Sequence, residues 1–350
     1  MREGDCNIER LVNAILGKPT DRVPNFEALI MSRSVEALVG TPLGLTDGER
    51  QLRSTMRIGP YEYVHLCSKL SMDAICLLPF WTVVSREGER ERGAKALSQT
   101  SAVRDWDEID KLSDPPSIDK IIARIRPYKR AVEGTGIGIC TGTRSVLCNT
   151  YETLGFENCM IKLHDDPALV RKVMDIYLNY ALKLTEALLD ENIVDLFYFD
   201  DDIAMHSGFV VHPRVIQTEW YPRTERITAL VRKKGLPLMM HCCGNLTDVV
   251  PLALRLGVHA VHPFEPYSND IYAVKQKYGD RLTLVGNMDI AGVLAFGTPD
   301  EVVADTKEHI ERLDVDGRYV CCSSHSITDD VPPENFFAMV DACHTYGIHN

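Results

Sequence analysis

The stretch Pro237-Leu238-Met239-Met240-His241-Cys242-Cys243-Gly244-Asn245 is an apolar run that ends in an imidazole and two thiols and then meets glycine. Side chains alternate faces along an extended strand, so His241 and Cys243 share one side while Cys242 faces the other. A neutral imidazole and a thiolate converging on one side are ligands suited to zinc. The plainer reading of the same residues is a hydrogen-bonded histidine beside two cysteines packed as small hydrophobes.

Seven further runs resemble this one in length and apolar character: Val23 to Glu27, Met72 to Leu78, Ile137 to Thr141, Leu196 to Asp200, Ala260 to Glu265, Leu282 to Asn287 and Tyr319 to Ser323, with Leu236 to Cys243 making eight. Helix-like stretches separate them, which is the pattern of βα units and a parallel sheet. Eight such strands predict an α/β fold of the closed (β/α)8 TIM barrel type, one domain over residues 1–350. Asp166-Pro167 opens a segment whose apolar residues recur at three-and-four spacing from Leu169 to Leu188. Thr298-Pro299-Asp300-Glu301 has the cap, first-turn proline and third-position glutamate of a helix start, and His212-Pro213 and Pro332-Pro333 open two more. Residues 1–20 predict an N-terminal helix from Asn7 to Leu16 closed by Gly17. Residues 30–70 and 80–135 exceed a simple connection and predict helical insertions near the barrel mouth.

At 350 residues with 45% hydrophobic and 25% charged content, the composition is that of a folded globular protein. Met1 to Asp5 lacks the apolar core of a signal peptide, and no apolar run is long enough to span a membrane, so a cytoplasmic protein with no membrane partner is expected. Eleven cysteines in such a chain predict reduced thiols. A net charge of -12 speaks against a nucleic-acid footprint. Gly134 to Gly138 contains G-x-G-x-G but precedes a strand, so it lacks the context of a dinucleotide fingerprint.

Barrel enzymes build their sites at the carboxyl ends of the strands. Those ends read Glu27, Thr141, Asp200-Asp201-Asp202, His241 with Cys243, Glu265, Asn287 with Asp289, and Ser323 with His325. His325, nearest the mouth on the last strand, is the first choice as a third metal ligand, with Cys321 or Cys322 as substitutes. Three protein ligands leave zinc an open fourth position, as catalysis requires. Asp200, Asp201 and Asp202 are candidate catalytic carboxylates, because three crowded like charges should raise at least one pKa. Glu265, Asn287 and Ser323 are candidate substrate-binding residues. His206, His212, His259 and His262 read as ordinary core or surface histidines.

With these residues in view, the chain resembles the uroporphyrinogen decarboxylase superfamily, and within it the cobalamin-dependent methyltransferase branch. The resemblance rests on Lys18 to Pro24, Asp201-Asp202 followed by His212-Pro213, His241 to Asn245, Gly286-Asn287-Met288-Asp289, and His325-Ser326-Ile327 with Val331 to Asn335. It implies a (β/α)8 barrel with the pocket at the strand C-termini. The decarboxylases carry an arginine-rich segment after the first strand and an aspartate after the second. Here those places read Ala28-Leu29-Ile30-Met31-Ser32-Arg33 and Leu78-Pro79-Phe80-Trp81, which disfavours porphyrinogen decarboxylation. The methyltransferases carry H-x-C and a distant cysteine as zinc ligands; His241 and Cys243 match the first two, and His325 stands at the third place. The resemblance therefore implies methyl transfer between a small substrate, thiol or methylated compound, and a corrinoid carried by a partner protein, with Zn²⁺ organising the reaction. Relatives are often homodimers, which makes a homodimer an expectation here. The rival expectations are a cofactor-free decarboxylase or lyase using the aspartate cluster, and a non-catalytic barrel.

Overall fold

A computed structural model describes residues 4–40, 53–79, 81, 102–112 and 114–349 of the chain. Seven parallel strands form one sheet in the order β1 (Ala74–Leu77), β2 (Gly138–Arg144), β3 (Leu196–Asp200), β6 (Leu238–His241), β7 (Ala260–His262), β8 (Thr283–Val285) and β9 (Tyr319–Val320). A short antiparallel hairpin, β4 (Ala204–Met205) and β5 (Gly208–Phe209), leaves the end of β3. The eighth expected strand, Val23 to Glu27, lies beside β9 as a single parallel bridge, with the Phe26 N–H donating to the Cys321 carbonyl at 3.0 Å and the Cys321 N–H to the Pro24 carbonyl at 2.9 Å. Pro24 has no N–H to offer a ladder, which keeps the pairing this short.

The period-two alternation sorts the side chains into two cores. Phe26, Ala74, Cys76, Cys140, Leu196, Tyr198, Met239, Ala260, Val285, Val320 and Cys322 form one inner cluster. Every one of the eight extended segments contributes to it, so the sheet is curled around a filled centre as a (β/α)8 barrel. The alternate residues, among them Ile75, Ile139, Phe197, Phe199, Leu238, Met240, Val261 and Leu284, face the outer cluster under the helices.

The N-terminal helix Ile8–Leu16 starts at Asn7, whose side chain accepts the Glu9 N–H, and ends at Gly17 with a left-handed φ of 67°. It sends Leu11, Ala14 and Ile15 into the inner cluster and takes hydrogen bonds from the Thr283 hydroxyl at the start of β8. It therefore stoppers the amino-terminal end of the barrel. The helix starts read from the sequence at residues 167, 299 and 333 are present, the second with its reciprocal Thr298–Glu301 capping box. His212-Pro213 opens a continuous helical stretch to Lys234 that includes a π turn at Ile216–Trp220.

Within the stretches expected to cover the mouth, the helices Pro60–Leu70 and Ile118–Val132 instead pack on the outside of the sheet as crossovers before β1 and β2, burying Leu66, Leu70, Ile121, Ile122 and Ile125 in the outer cluster. Helix Ser32–Val39 is the remaining α-helix there among the described residues, alongside a 3₁₀ turn at Trp106–Lys111. The rest of the expected insertions, residues 41–52, 80, 82–101 and 113, lies outside the described residues. No helix among the described residues is long and apolar enough to cross a membrane.

Candidate metal centre at the barrel mouth

His241 is the last residue of β6, and Cys243 follows it two positions on, so the strand's alternation turns both toward the barrel axis. Their approach is direct: Cys243 Sγ lies 3.4 Å from His241 Nε2. The chain after β9 brings His325 to the same point, its ring centroid 5.9 Å from that of His241 and nearly perpendicular to it. One ligating atom each from His241, Cys243 and His325 falls within 4.8 Å of the others. Neither sequence-level substitute joins them: Cys321 packs in the outer core, and Cys322 faces the inner cluster with its thiol toward Glu27.

Burial holds the pKa of His241 and of His325 below the usual histidine range, so both rings are neutral and offer a lone pair. Burial also pushes the Cys243 thiol up, and Asp202 and Glu265 push it the same way. A thiolate in that position therefore requires a cation beside it. Two imidazoles and one sulfur converging at a strand end fit zinc in donor type, and as three protein ligands they are the number a catalytic zinc takes.

The three aspartates at the end of β3 separate by the same alternation. Asp200 faces inward and meets Arg144 Nε at 3.0 Å, while Arg144 also reaches Glu152 at 2.8 Å. Burial raises the pKa of Asp200 despite that guanidinium. Asp201 points the other way, into the helix layer. Its oxygens accept the N–H groups of Val146, Leu147 and Cys148 at 3.0, 3.1 and 2.7 Å and the Trp220 indole N–H at 2.7 Å. Fully buried, it caps the helix Leu147–Leu154 and anchors Trp220, so its place among the candidate catalytic carboxylates is corrected to a structural one. Asp202 returns to the site: its Oδ1 accepts the Cys243 N–H at 2.8 Å and stands 3.8 Å from His241 Nε2. Burial, which would raise its pKa, is outweighed by His241 and the Cys243 N–H, so Asp202 stays ionised. The raised values at Asp200 and Asp201 come first from burial and only secondarily from like-charge crowding.

Of the residues expected to bind substrate, Glu265 is at the site, accepting the Gly244 N–H at 3.0 Å and so tying the end of β7 to the ligand loop. Ser323 is not available. It is fully buried, its N–H and hydroxyl both given to Glu27 at 2.8 and 2.7 Å. Asn287 is also engaged elsewhere, donating to the Phe264 carbonyl and pairing through Oδ1 with His309 Nε2 at 3.0 Å beside a separate open groove of about 750 Å³.

Two residues beside the cluster, Arg144 and His262, were not picked out from the sequence. Arg144 went unread because β2 runs three residues beyond the expected Thr141. Glu27, a strand end with no role read from the sequence, is the buried acceptor for Ser323 and stands apart from the cluster's three ligands. His262, set aside as an ordinary histidine, is the register partner of His241 on the neighbouring strand, and their Nδ1 atoms are 2.8 Å apart. The signal was present in the sequence: Ala260-Val261-His262 ends a strand on the same kind of residue as the run before it.

Gly244 closes the ligand loop at φ +85°, and a Cβ there would lie 2.7 Å from the Met205 backbone of the β4–β5 hairpin. Gly244→Ala is expected to cost about 2 kcal/mol, since backbone cannot yield as a side chain can, and to displace Cys243 from the cluster. Thermal unfolding with metal content measured on the same sample checks this; an alanine variant with wild-type stability would refute the close packing of loop on hairpin.

The family described as uroporphyrinogen decarboxylase (URO-D) matches residues 88–346. The chain belongs to the uroporphyrinogen decarboxylase family. Among curated relatives, methylcobamide:CoM methyltransferase MtbA of Methanosarcina mazei is 25% identical, with 97% of each chain covered. A uroporphyrinogen decarboxylase of Vesicomyosocius okutanii is 32% identical over only 77 residues, so the match spans 22% of this chain and 22% of that relative. Among solved structures, a methyltransferase from Methanosarcina mazei superposes with a TM-score of 0.68 at 17% identity, covering 97% of this chain and 99% of that one, which shows the shared barrel.

Proposed function

We propose that this member of the uroporphyrinogen decarboxylase family is a zinc-dependent methyltransferase that moves a methyl group between a small substrate, a thiol or a methylated compound, and a corrinoid carried by a partner protein. The observation that carries the reading is the convergence of His241, Cys243 and His325 within 4.8 Å at the barrel mouth. The full-length likeness to a methylcobamide:CoM methyltransferase supports it. A zinc ion held there would lower the pKa of a bound thiol or polarise a methylated substrate. The chain's own residues supply the rest. Asp202 fixes the Cys243 backbone and sets a negative charge beside the His241 ring. Glu265 braces Gly244, and the Arg144–Asp200 pair walls the neighbouring side.

Protein purified without added metal is expected to hold about one zinc per chain, and the His241→Ala, Cys243→Ser double variant to hold none while staying folded. Elemental analysis beside circular dichroism measures both. Zinc retained by the double variant would overturn the ligand assignment. A metal-free wild type with lyase activity would favour the decarboxylase alternative.

A further inference from the structure

His241 and His262 stand opposite each other on adjacent parallel strands, both directed into the barrel, with Nδ1 facing Nδ1 at 2.8 Å. Two neutral imidazoles joined in this way have two arrangements of their protons. If His262 donates, the proton of His241 sits on Nε2, the nitrogen that faces Cys243 and Asp202, and no lone pair is available there. If His241 donates from Nδ1, its Nε2 lone pair is free, and the proton of His262 moves to His262 Nε2. That atom is buried and has no hydrogen-bond partner among the described residues.

We infer that His262 is the positioning residue of the metal centre: it accepts the Nδ1 proton of His241 and so fixes His241 Nε2 as the nitrogen presented to the cation. The inference rests on the zinc reading of the site. Metal-bound histidines are commonly oriented by a carboxylate or a carbonyl on the far nitrogen. Here the acceptor is a neutral ring, held edge-on by Phe26 at 6.4 Å and flanked by Tyr198 at 6.4 Å. The neutral partner has a chemical consequence. It orients the ligand without adding negative charge to a centre that already has Asp200, Asp202 and Glu265 around it, so the cation's own charge is kept for its fourth ligand. His262 touches neither substrate nor cation and acts only through His241.

The test is zinc affinity by chelator competition at one fixed pH for wild type, His262→Leu and His262→Asn, with melting temperature recorded for each. Leucine removes the acceptor and is expected to weaken zinc about 10- to 100-fold. Asparagine, whose side-chain oxygen can accept from His241 Nδ1, is expected to recover most of that loss. Affinity in His262→Leu within twofold of wild type would overturn the inference while leaving the metal site intact. Equal losses in the leucine and asparagine variants would also overturn it, because a role in packing alone does not depend on an acceptor. Zinc retained by the His241→Ala, Cys243→Ser variant would overturn the site and this inference together. Should leucine at 262 prevent folding, long-range ¹⁵N–¹H spectra of the zinc-loaded wild type decide instead. A proton on His241 Nδ1 and on His262 Nε2 is expected, and a proton on His262 Nδ1 would refute the assignment.

Discussion

Asp201→Ala is expected to destabilise the protein by about 4 kcal/mol, the cost of stranding four buried donors at roughly 1 kcal/mol each. For a chain of 350 residues that is a fall of roughly 5 °C in melting temperature. The donors are the three backbone N–H groups that open the helix Leu147–Leu154 and the Trp220 indole, all at 2.7 to 3.1 Å. None can turn toward water, because Asp201 and Trp220 are both completely buried. Its neighbour makes the contrast. Asp202→Asn keeps an oxygen for the Cys243 N–H and should change the melting temperature little, while removing the charge beside His241. Chemical denaturation of both variants separates the two roles. A stability for Asp201→Ala within about 1 kcal/mol of wild type would show that the four contacts matter less than their geometry implies.

The second large effect is on pH dependence. Glu27 is fully buried, and burial pushes its carboxyl up to about 8 despite the two hydrogen bonds from Ser323. In the unfolded chain the same group titrates near 4.5. Below both values each state holds the proton and stability is unaffected. Between about 4.5 and 8 the unfolded chain has released a proton that the folded chain keeps, so stability falls as pH rises. Over that interval the loss is about 5 kcal/mol, at 1.36 kcal/mol per unit. Above about 8 the curve is flat again. Glu27→Gln has no proton to keep, so its stability relative to wild type should climb from pH 5 to about pH 8 and then level off. Urea unfolding at several pH values measures the difference. A gap between wild type and Glu27→Gln that stays constant across the range would mean that Glu27 ionises normally in the fold.

The barrel was legible because its strands are short apolar runs with a period of two, and the inner and outer clusters divide along that period. The metal cluster was legible for the same reason, since His241 and Cys243 are two residues apart on one face. The aspartate triplet obeys the same rule: alternation alone places Asp201 opposite its neighbours, in the helix layer. What the sequence hid is partnership across strands. That His262 meets His241, and that Arg144 meets Asp200, depends on strand register and on how far β2 extends, and neither leaves a mark in either segment alone. Ser323 and Asn287 sit at strand ends as expected, yet the polar atoms of each are taken by Glu27 and by His309 with the Phe264 carbonyl, choices made by packing between elements distant in sequence.

The helix that stoppers the barrel's base bears on the order of events. Among the described residues, Leu11, Ala14 and Ile15 plug one end of the barrel, so a visitor to the centre comes from the carboxyl ends of the strands. In the methyl-transfer reading, a small molecule and a bulky carrier share that approach. On that reading the small one would be seated before the large one covers it, and would leave after the carrier withdraws.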